Sequence, residues 1–487
     1  MHDNSREILT RLALVLLGVF LPACDASRSV PVPATLVTTE ALTKTPKPTF
    51  TPLARTVTST LAPTMTGEPE TPEAEKVVKV TAGPTLLPTM TGESQPTIPL
   101  PTALPEHTAS STSTALPTST RLLPTETPTL SPTETPTVRP QNPLRMKSPE
   151  YGMQAFLWWR PEVASRDLQI IRDAGFTWCK VNFGWRDIEG AGKGIFDWSH
   201  TDEIVEMANS EGIDLVVRVD HQPSWAGGGF PGNGPPDNLE DLPDFLTALV
   251  GRYKGRIRAY EAWNEPNLAR EWGGKLPDPG EYVKLLRAAY GAIKAADPKA
   301  IVISAGLSPT GSWTGDARPD DWYLESMYIA MGGASEGYFD MLGAHGAGYK
   351  SPPERDPSEV AANQDLGGHR AFCFRRVEDL RAIMVKYGDT GKQITLLEFG
   401  WTSDPRPDSP YNWHMVSEEA KAEYLVGAYQ YAREHWAPWI GLMSLIYVSD
   451  PDWTPDDEQY WWAITYPSWP VFKPRPAYEA LKAMPKQ

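Results

Sequence analysis

The feature that most constrains the fold is a repeated alternation of strand-like and helix-like segments, which begins at Tyr151. Several of the strand-like segments are continuous apolar runs, as expected for strands buried on both faces. They are residues 151–156, 177–182, 214–219, 257–264, 300–304, 341–345, 393–398 and 442–448. Eight such repeats predict an α/β protein with a parallel (β/α)8 barrel, the TIM-barrel architecture. An open doubly wound sheet is the alternative, but the sequence has no phosphate-binding glycine fingerprint.

The composition divides the chain into two parts near residue 147. All 18 tryptophans lie at or after Trp158, whereas residues 25–147 are rich in threonine and proline. The hexapeptide Pro-Thr-Met-Thr-Gly-Glu occurs at residues 63–68 and again at 88–93. Such a segment buries too little apolar surface to offset the loss of chain entropy. We therefore predict a disordered Thr/Pro-rich stalk over residues 25–147 and one folded domain, the (β/α)8 barrel, over residues 148–487.

The first 24 residues have the pattern of an export signal. Arg6 and Arg11 precede an almost wholly apolar run over residues 12–21, which is too short for a comfortable transmembrane helix. The segment Pro22-Ala23-Cys24 resembles a bacterial lipobox, although Pro22 replaces the usual small residue. The resemblance implies lipidation of Cys24, and an ordinary cleaved signal is the alternative. Either one predicts an exported protein. With lipidation, the protein stays at the cell surface and contacts the membrane only through the lipid on Cys24, whereas with an ordinary cleaved signal it is secreted.

Charge and cysteine content exclude some classes of partner and of fold. The formal net charge is −16 and the sequence pI is about 5.1. Nucleic acid is therefore a disfavoured partner, because binding to phosphates needs a basic face. Three cysteines provide no disulfide framework. Cys179 and Cys373 both lie in apolar surroundings and are expected to be buried thiols, with pairing between them left open.

Two motifs place a glutamate at the end of a predicted strand. Trp263-Asn264-Glu265-Pro266 closes the fourth strand, and Glu398-Phe399-Gly400-Trp401 closes the seventh. A (β/α)8 barrel keeps its reactive groups at the carboxyl ends of its strands. Strands four and seven face each other across such a barrel, so the two carboxylates can converge. A converging pair indicates glycoside hydrolysis, with one residue as acid/base and the other as nucleophile.

Together these motifs resemble those of the clan-A retaining glycoside hydrolases, nearest to families 39 and 5, and the resemblance extends over residues 148–487. It implies that Glu265 is the acid/base, that Glu398 is the nucleophile and that Asn264 binds the sugar 2-hydroxyl. An acid catalyst must be protonated near neutral pH. We therefore expect the second carboxylate to raise the pKa of Glu265.

Three other residues near strand ends are candidate substrate-binding residues. The resemblance suggests that His345, at the end of the sixth strand, contacts the substrate or the nucleophile. Many relatives have His-Pro-Tyr here, whereas this chain has its tyrosine only at Tyr349, so a role for Tyr349 in orienting Glu398 stays open. Arg218, on the third strand, is predicted to pair with the barrel-interior carboxylate of Glu261, because a buried charge needs a partner.

Tryptophans follow many of the predicted strands, where their indole faces can stack on pyranose rings. Trp401, shortly after Glu398, is the best single candidate, and Trp158 after the first strand is another. For any one of them, burial in the core is the alternative. As a set, they predict a saccharide-binding cleft.

Two other functions deserve comparison with a glycosidase. A metal-dependent hydrolase could use Asp220, His221, Asp450 and Asp452, but no His-x-His pair or compact ligand cluster is present. A non-catalytic carbohydrate-binding barrel would be expected to lack one glutamate, and both are present. We therefore predict a retaining O-glycosyl hydrolase of an oligo- or polysaccharide, monomeric and without cofactor or metal. Motif spacing leaves the sugar, the linkage and exo or endo action open.

Overall fold

The computed structural model describes residues 144–158 and 160–486. The predicted export signal, Cys24 and almost all of the predicted stalk lie outside the described residues. Within the described ranges, none of the helices combines the length and the hydropathy that a membrane span requires.

Eight parallel strands form one sheet, so the predicted (β/α)8 barrel is confirmed. They are β1 (Glu150–Gln154), β2 (Trp178–Gly184), β3 (Asp214–Asp220), β4 (Ala259–Ala262), β5 (Ile301–Ser304), β6 (Leu342–His345), β7 (Ile394–Phe399) and β8 (Ile440–Leu445). Strands from β1 to β5 and from β6 to β8 pair in chain order, and β1 pairs with β8. Isolated parallel bridges from Ile303 to Met341 and from Leu307 to Ala344 connect the β5 and β6 segments and nearly close the sheet.

Helices follow the strands along the chain. They are α1 (Pro161–Asp173), α2 (Trp185–Glu189), α3 (Ser199–Ser210), α4 (Asp241–Arg252), α5 (Pro279–Ala296), α6 (Asp320–Ala330), α7 (Pro357–Ala362), α8 (Arg376–Lys386), α9 (Glu418–Tyr431), α10 (Glu458–Trp462) and α11 (Pro476–Ala483). Local sequence explains where several begin. The Asp278 carboxylate accepts from the Gly280 N–H at 2.7 Å, and Pro279 occupies the first turn of α5. Ser417 caps α9 in the same way.

The barrel interior has an apolar floor with a charged layer above it. The floor is a cluster of nine buried residues, Met146, Trp178, Val216, Ala259, Ile301, Ile303, Met341, Leu397 and Leu442. Side chains two positions further along a strand face the same side. The next inward positions on β2, β3 and β4 are therefore Lys180, Arg218 and Glu261, and all three are buried. The floor separates this charged layer from the amino-terminal end of the barrel.

Several strand ends differ from the sequence prediction by one to three residues, and two of these differences concern the site. β4 ends at Ala262 rather than at residue 264, because Trp263 and Glu265 have positive φ values of 81° and 37°, which a strand does not allow. β8 ends at Leu445 rather than at residue 448. The Trp263-Asn264-Glu265-Pro266 motif therefore lies on a turn beyond the strand.

Candidate active site

The turn after β4 carries Asn264 and Glu265. Non-glycine residues such as Trp263 and Glu265 adopt left-handed backbone at a cost of about 1–3 kcal/mol each. Neighbouring strands hold the turn in place. The Trp263 N–H donates to the Val219 carbonyl at 3.1 Å, and the Glu265 N–H donates to the Gly306 carbonyl at 3.1 Å. The turn thus fixes both side chains at the carboxyl end of the barrel.

Glu398 faces the same end of the barrel through an irregularity in the sheet. Side chains alternate along a regular strand, and Leu397 already belongs to the interior floor. Ala344 lies opposite Leu396, but the next residue, His345, lies opposite Glu398 because the register shifts between them. Such a shift re-aims one side chain, as a β-bulge does. Glu398 can therefore face inwards directly after Leu397.

Two cations from the barrel interior hold the Glu398 carboxylate. Its Oε1 atom lies 2.8 Å from Lys180 Nζ and 3.4 Å from Arg218 Nη1. Burial alone raises the pKa of Glu398, but the charges of Lys180, His345 and Arg218 outweigh burial and lower the pKa below its ordinary value. Glu398 is therefore ionised at neutral pH, which is the state that a nucleophile requires.

Lys180 is a site residue that the sequence motifs do not reveal. Its Nζ atom also lies 3.1 Å from Glu261 Oε2, so one cation serves two carboxylates. The predicted ion pair between Glu261 and Arg218 is wrong, although the two residues are in register. Arg218 instead lies 3.1 Å from Asp220 and donates to Asn264 Oδ1 at 3.2 Å. A lysine within an apolar strand is the signal that could have revealed Lys180, since a buried charge needs partners.

Glu265 is held by two different groups. Arg270 Nη2 lies 2.5 Å from its Oε2 atom, and His345 Nδ1 lies 3.0 Å from its Oε1 atom. Burial raises the pKa of Glu265, but Arg270 and His345 outweigh burial and lower the pKa to about 2. The expectation of a raised pKa for Glu265 is therefore wrong. The cation beside Glu265 has a larger effect than the neighbouring carboxylates.

His345 contacts the predicted acid/base directly, while its strand position lies opposite Glu398. The ring fits because residue 306 is glycine: a Cβ atom there would lie 2.2 Å from His345 Cδ2. Its Nε2 atom is buried without a hydrogen-bond partner among the described residues. This nitrogen lies on the side of the ring that faces Gly306, where an added Cβ atom would come within 2.3 Å of it.

The structure gives three of the predicted aromatic residues other contacts. Trp401 is fully buried, and its Nε1 atom donates to the Ser351 carbonyl at 2.9 Å, so the prediction that it stacks on a sugar is wrong. The Tyr349 hydroxyl donates to the Pro309 carbonyl at 3.0 Å, which directs it away from a role in orienting Glu398. Trp158 is half-buried and stacks on His200, with ring centroids 5.2 Å apart.

Tyr447, after β8, is an aromatic site residue that the motifs miss. Burial raises the pKa of its phenol, and the charges of Glu398 and Glu458 raise that pKa further. The phenol therefore lies near the carboxylates of the site. Its ring also packs against Phe156, with centroids 5.5 Å apart, and against Trp453 at 5.7 Å. Phe156 follows β1 and Tyr447 follows β8, so these rings form an aromatic cluster beside the carboxyl ends of these two paired strands.

The residues considered for a metal site have protein partners. His221 Nδ1 lies 2.6 Å from Asp220, which also pairs with Arg218. Among the residues described, no three His, Cys, Asp or Glu side chains are grouped so that they could hold a metal ion. Cys179 and Cys373 are both buried and unpaired, so the open question of a disulfide between them is answered.

Comparison with known families adds an independent observation. Residues 140–326 match the family model described as cellulase (glycosyl hydrolase family 5). This match confirms the resemblance to clan-A glycoside hydrolases. The matched segment includes β1 to β5 and therefore Lys180, Arg218, Asn264 and Glu265, whereas Glu398 lies beyond it. The match supports glycan hydrolysis as the activity class of the barrel.

Individual relatives are more distant. The chain is 27% identical over 126 residues to a β-xylosidase of Geobacillus stearothermophilus, a match that covers 23% of this chain and a quarter (25%) of that relative. Among solved structures, a family 39 glycoside hydrolase from Bacteroides cellulosilyticus is 20% identical, with 69% of this chain and 63% of that chain covered and a TM-score of 0.48. Xylanase 10B from Thermotoga maritima is 16% identical, with coverages of 69% and 94% and a TM-score of 0.46.

Proposed function

We propose that the barrel is a retaining glycoside hydrolase that cleaves O-glycosidic bonds of an oligo- or polysaccharide by double displacement. The observation that supports this most directly is that Glu265 and Glu398 share neighbours at one end of the barrel. Arg218 contacts both Asn264, at 3.2 Å, and Glu398, at 3.4 Å. His345 bonds to Glu265 and lies opposite Glu398 in the sheet. Two buried carboxylates in one site are what this chemistry needs.

The reaction would proceed in two displacements. In the first, the Glu398 carboxylate attacks the anomeric carbon while Glu265 donates a proton to the departing glycosidic oxygen. The bond from the anomeric carbon to that oxygen breaks, and a glycosyl ester of Glu398 forms. In the second, Glu265 takes a proton from water, whose oxygen attacks the anomeric carbon and releases the Glu398 carboxylate. Two inversions give net retention of configuration.

Proton donation by Glu265 requires a change at Arg270, because the ion pair between the two side chains keeps the carboxylate ionised. The Arg270 side chain is 30% exposed, whereas that of Glu265 is only 1% exposed. If a sugar displaces the guanidinium, the main effect that lowers the pKa of Glu265 is removed. Burial, which raises this pKa, then dominates. We therefore expect Glu265 to take up its proton as the substrate binds.

Asn264 is oriented for one contact with the sugar. Arg218 donates to its Oδ1 atom at 3.2 Å, so the oxygen of the amide faces the barrel interior. The Nδ2 group is then directed to the other side, where it can donate to a substrate hydroxyl. A contact to the 2-hydroxyl that strengthens in the transition state is typical of these reactions.

The test uses Glu398→Ala and Glu265→Ala with activated aryl glycosides and azide. Aryl β-xylosides and β-glucosides are the first substrates to try, because the matched relative and family bear the names β-xylosidase and cellulase. Glu398→Ala should lose hydrolysis of every substrate, and azide should then give a glycosyl azide of inverted configuration. Glu265→Ala should still form the intermediate with a good leaving group, and azide should give the retained product.

Opposite product configurations in the two variants, determined by NMR, are the expected result. Glu359→Ala is the matched control, because Glu359 is an exposed carboxylate on α7 that pairs with Arg355 at 2.8 Å. If Glu265→Ala and Glu398→Ala both hydrolyse aryl glycosides as fast as this control, the proposed chemistry is wrong.

We also propose, from the sequence pattern alone, that the protein is exported, anchored through lipid on Cys24, and acts as a monomer on an extracellular glycan. Cys24→Ser should abolish labelling by a radioactive fatty acid and release the protein from the membrane fraction. A variant that stays with the membrane like the parent would exclude this anchor. Two or more acyl chains are expected, since one chain alone gives only marginal binding.

A further inference from the structure

Two exposed tryptophans follow β5, on the same side of the barrel as the two glutamates: Trp313 lies on the loop between β5 and α6, and Trp322 lies in the first turn of α6. Trp313 is 60% exposed and Trp322 is 38% exposed. Their ring centroids are 4.7 Å apart with an angle of 59° between the planes. Within the described chain, no other ring pair joins two of the exposed large hydrophobic residues. An exposed aromatic pair of this kind is typical of a binding surface.

The loop beneath these rings is firmly held to the turn that carries Glu265. Asn267 is fully buried, donates to the Ser308 carbonyl at 2.9 Å and to the Arg318 carbonyl at 3.0 Å, and accepts from the Ser308 N–H at 2.9 Å. The Ala269 N–H donates to the Asp316 carbonyl at 2.8 Å. The exposure of the two rings is therefore built into an ordered loop.

The other side of the loop is attached to the segment after β6. Tyr349 is buried, and its hydroxyl donates to the Pro309 carbonyl at 3.0 Å. Gly311 lies against His369, where a Cβ atom would come within 2.2 Å of the imidazole. The Arg318 guanidinium lies over one face of the Trp313 ring, 5.3 Å from its centre, and its Nη1 atom donates to the Ala317 carbonyl at 2.9 Å. The other ring face is left for a ligand, with the remaining guanidinium N–H groups close by. Apolar ring faces next to donors suit a sugar ring, with its C–H faces and hydroxyl edges.

We propose that Trp313 and Trp322 form a remote subsite for a neutral glycan chain on the leaving-group side of the site. An acid/base must stand beside the leaving-group oxygen, and the rings are joined through Asn267 to the turn that carries this residue. The proposal rests on the proposed function and deepens it, since it assigns a polymer or long oligosaccharide as substrate. Units beyond the reacting sugar would stack here and hold the chain in register.

The experiment compares Trp313→Ala and Trp322→Ala on two substrates. With xylan and a mixed-linkage glucan, kcat/KM should fall by about 5–10-fold for each variant. With the aryl glycoside, which has no distant sugar units, kcat/KM should not change. Trp313→Phe keeps an aromatic face and should keep most of the activity on the polymer. Ile329→Ala is the matched control, because Ile329 is 65% exposed at the opposite end of α6.

Equal losses on both substrates, or no loss on the polymers, would overturn the subsite. If the parent hydrolyses neither substrate, the proposed function fails while the subsite is still tested by binding. Xylohexaose and cellohexaose are then titrated calorimetrically into the parent and into Trp313→Ala, and at least one should bind the parent about 5–10-fold more tightly. Equal or absent binding by the two proteins overturns the subsite. A change of oligomeric state in Trp313→Ala without a change in glycan binding would assign the pair to self-association and overturn it as well.

Discussion

The two glutamates are both buried at strand ends, but their surroundings differ in kind. Glu398 lies within β7 and is held by Lys180 and Arg218, which come from strands of the barrel interior. Glu265 lies on a turn beyond β4 and is held partly by Arg270, which comes from a loop and is 30% exposed. Cations on strands cannot withdraw without disturbing the barrel, whereas a loop arginine can.

This difference matches the two chemical tasks. A nucleophile needs to be ionised in every unoccupied state, so fixed cations beside Glu398 are suitable. An acid/base must exchange a proton twice in each cycle, so its pKa has to change with the state of the site. Under the proposed mechanism, the exposure of the partner cation, and not the burial of the carboxylate, distinguishes the two roles. The predictions below test this comparison from the largest expected effect to the smallest.

Lys180→Met should have the largest effect, because it leaves Glu261 and Glu398 buried without their shared cation. We expect a loss of about 3–5 kcal/mol in the free energy of unfolding, measured with urea. We also expect kcat on an aryl glycoside to fall by about 100-fold or more. The control is Lys193→Met, which removes a surface lysine paired with Asp241 at 2.6 Å and should change neither quantity appreciably. Parental kinetics in Lys180→Met would show that Glu398 does not need the interior cation Lys180 for its proposed role.

Arg270→Met should change the pH dependence. Without this cation the pKa of Glu265 should rise by about 1–3 units, so the alkaline limb of kcat/KM on a substrate with a poor leaving group should move to higher pH. Arg270→Lys retains the charge and should keep most of the parental profile. Other titratable groups interact electrostatically with Glu265. They are His345, Glu271, Glu398, Glu458 and the phenols of Tyr349 and Tyr447. These groups are unchanged in both variants.

The same substitution has a consequence for stability. The pKa of Glu265 is about 2 in the folded protein, below the ordinary value of 4.5. A depressed pKa contributes stability that is present above the unfolded value and is lost as pH falls from 4.5 towards 2. In Arg270→Met this part of the acid-induced loss should be smaller, as urea unfolding at pH 5 and at about pH 3 would show. Identical acid sensitivity in parent and variant would contradict the pairing.

Gly306→Ala should act mainly on Glu265, which is the carboxylate that His345 contacts directly. The added Cβ atom would lie 2.2 Å from His345, so the imidazole must move away from its hydrogen bond with Glu265. We expect about a tenfold lower kcat with a poor leaving group and little change with an activated one. Gly291→Ala on α5 is the matched control, since nothing lies within 4 Å of its added Cβ atom. Equal losses on both kinds of substrate would indicate general disruption of the site instead.

Tyr349→Phe should have the smallest effect. Its hydroxyl bonds to the Pro309 carbonyl, so its removal should lower the free energy of unfolding by about 1 kcal/mol and change kcat by less than about twofold. Thermal unfolding and aryl glycoside kinetics measure the two quantities. A loss of kcat far larger than this would restore the role in orienting Glu398 that the sequence left open.

The limits of the sequence prediction follow from where each contact originates. The period of apolar runs predicts the barrel, and the two motifs identify Glu265 and Glu398, because both kinds of signal are local. Lys180 and Arg270 contact these glutamates through register and loop geometry, which no local pattern encodes. Trp401 was assigned to a cleft from its position after β7, yet the chain turns it inwards against the Ser351 carbonyl.

The way the polypeptide joins the barrel has a consequence for how a tethered enzyme would meet its substrate. Met146 fills the apolar floor, and its backbone exchanges hydrogen bonds with the Gln393 side chain, just before β7 begins. The preceding chain therefore connects at the base, at the end opposite Glu265 and Glu398. A glycan that approaches the carboxyl end of the barrel therefore does not pass the point at which the chain enters it.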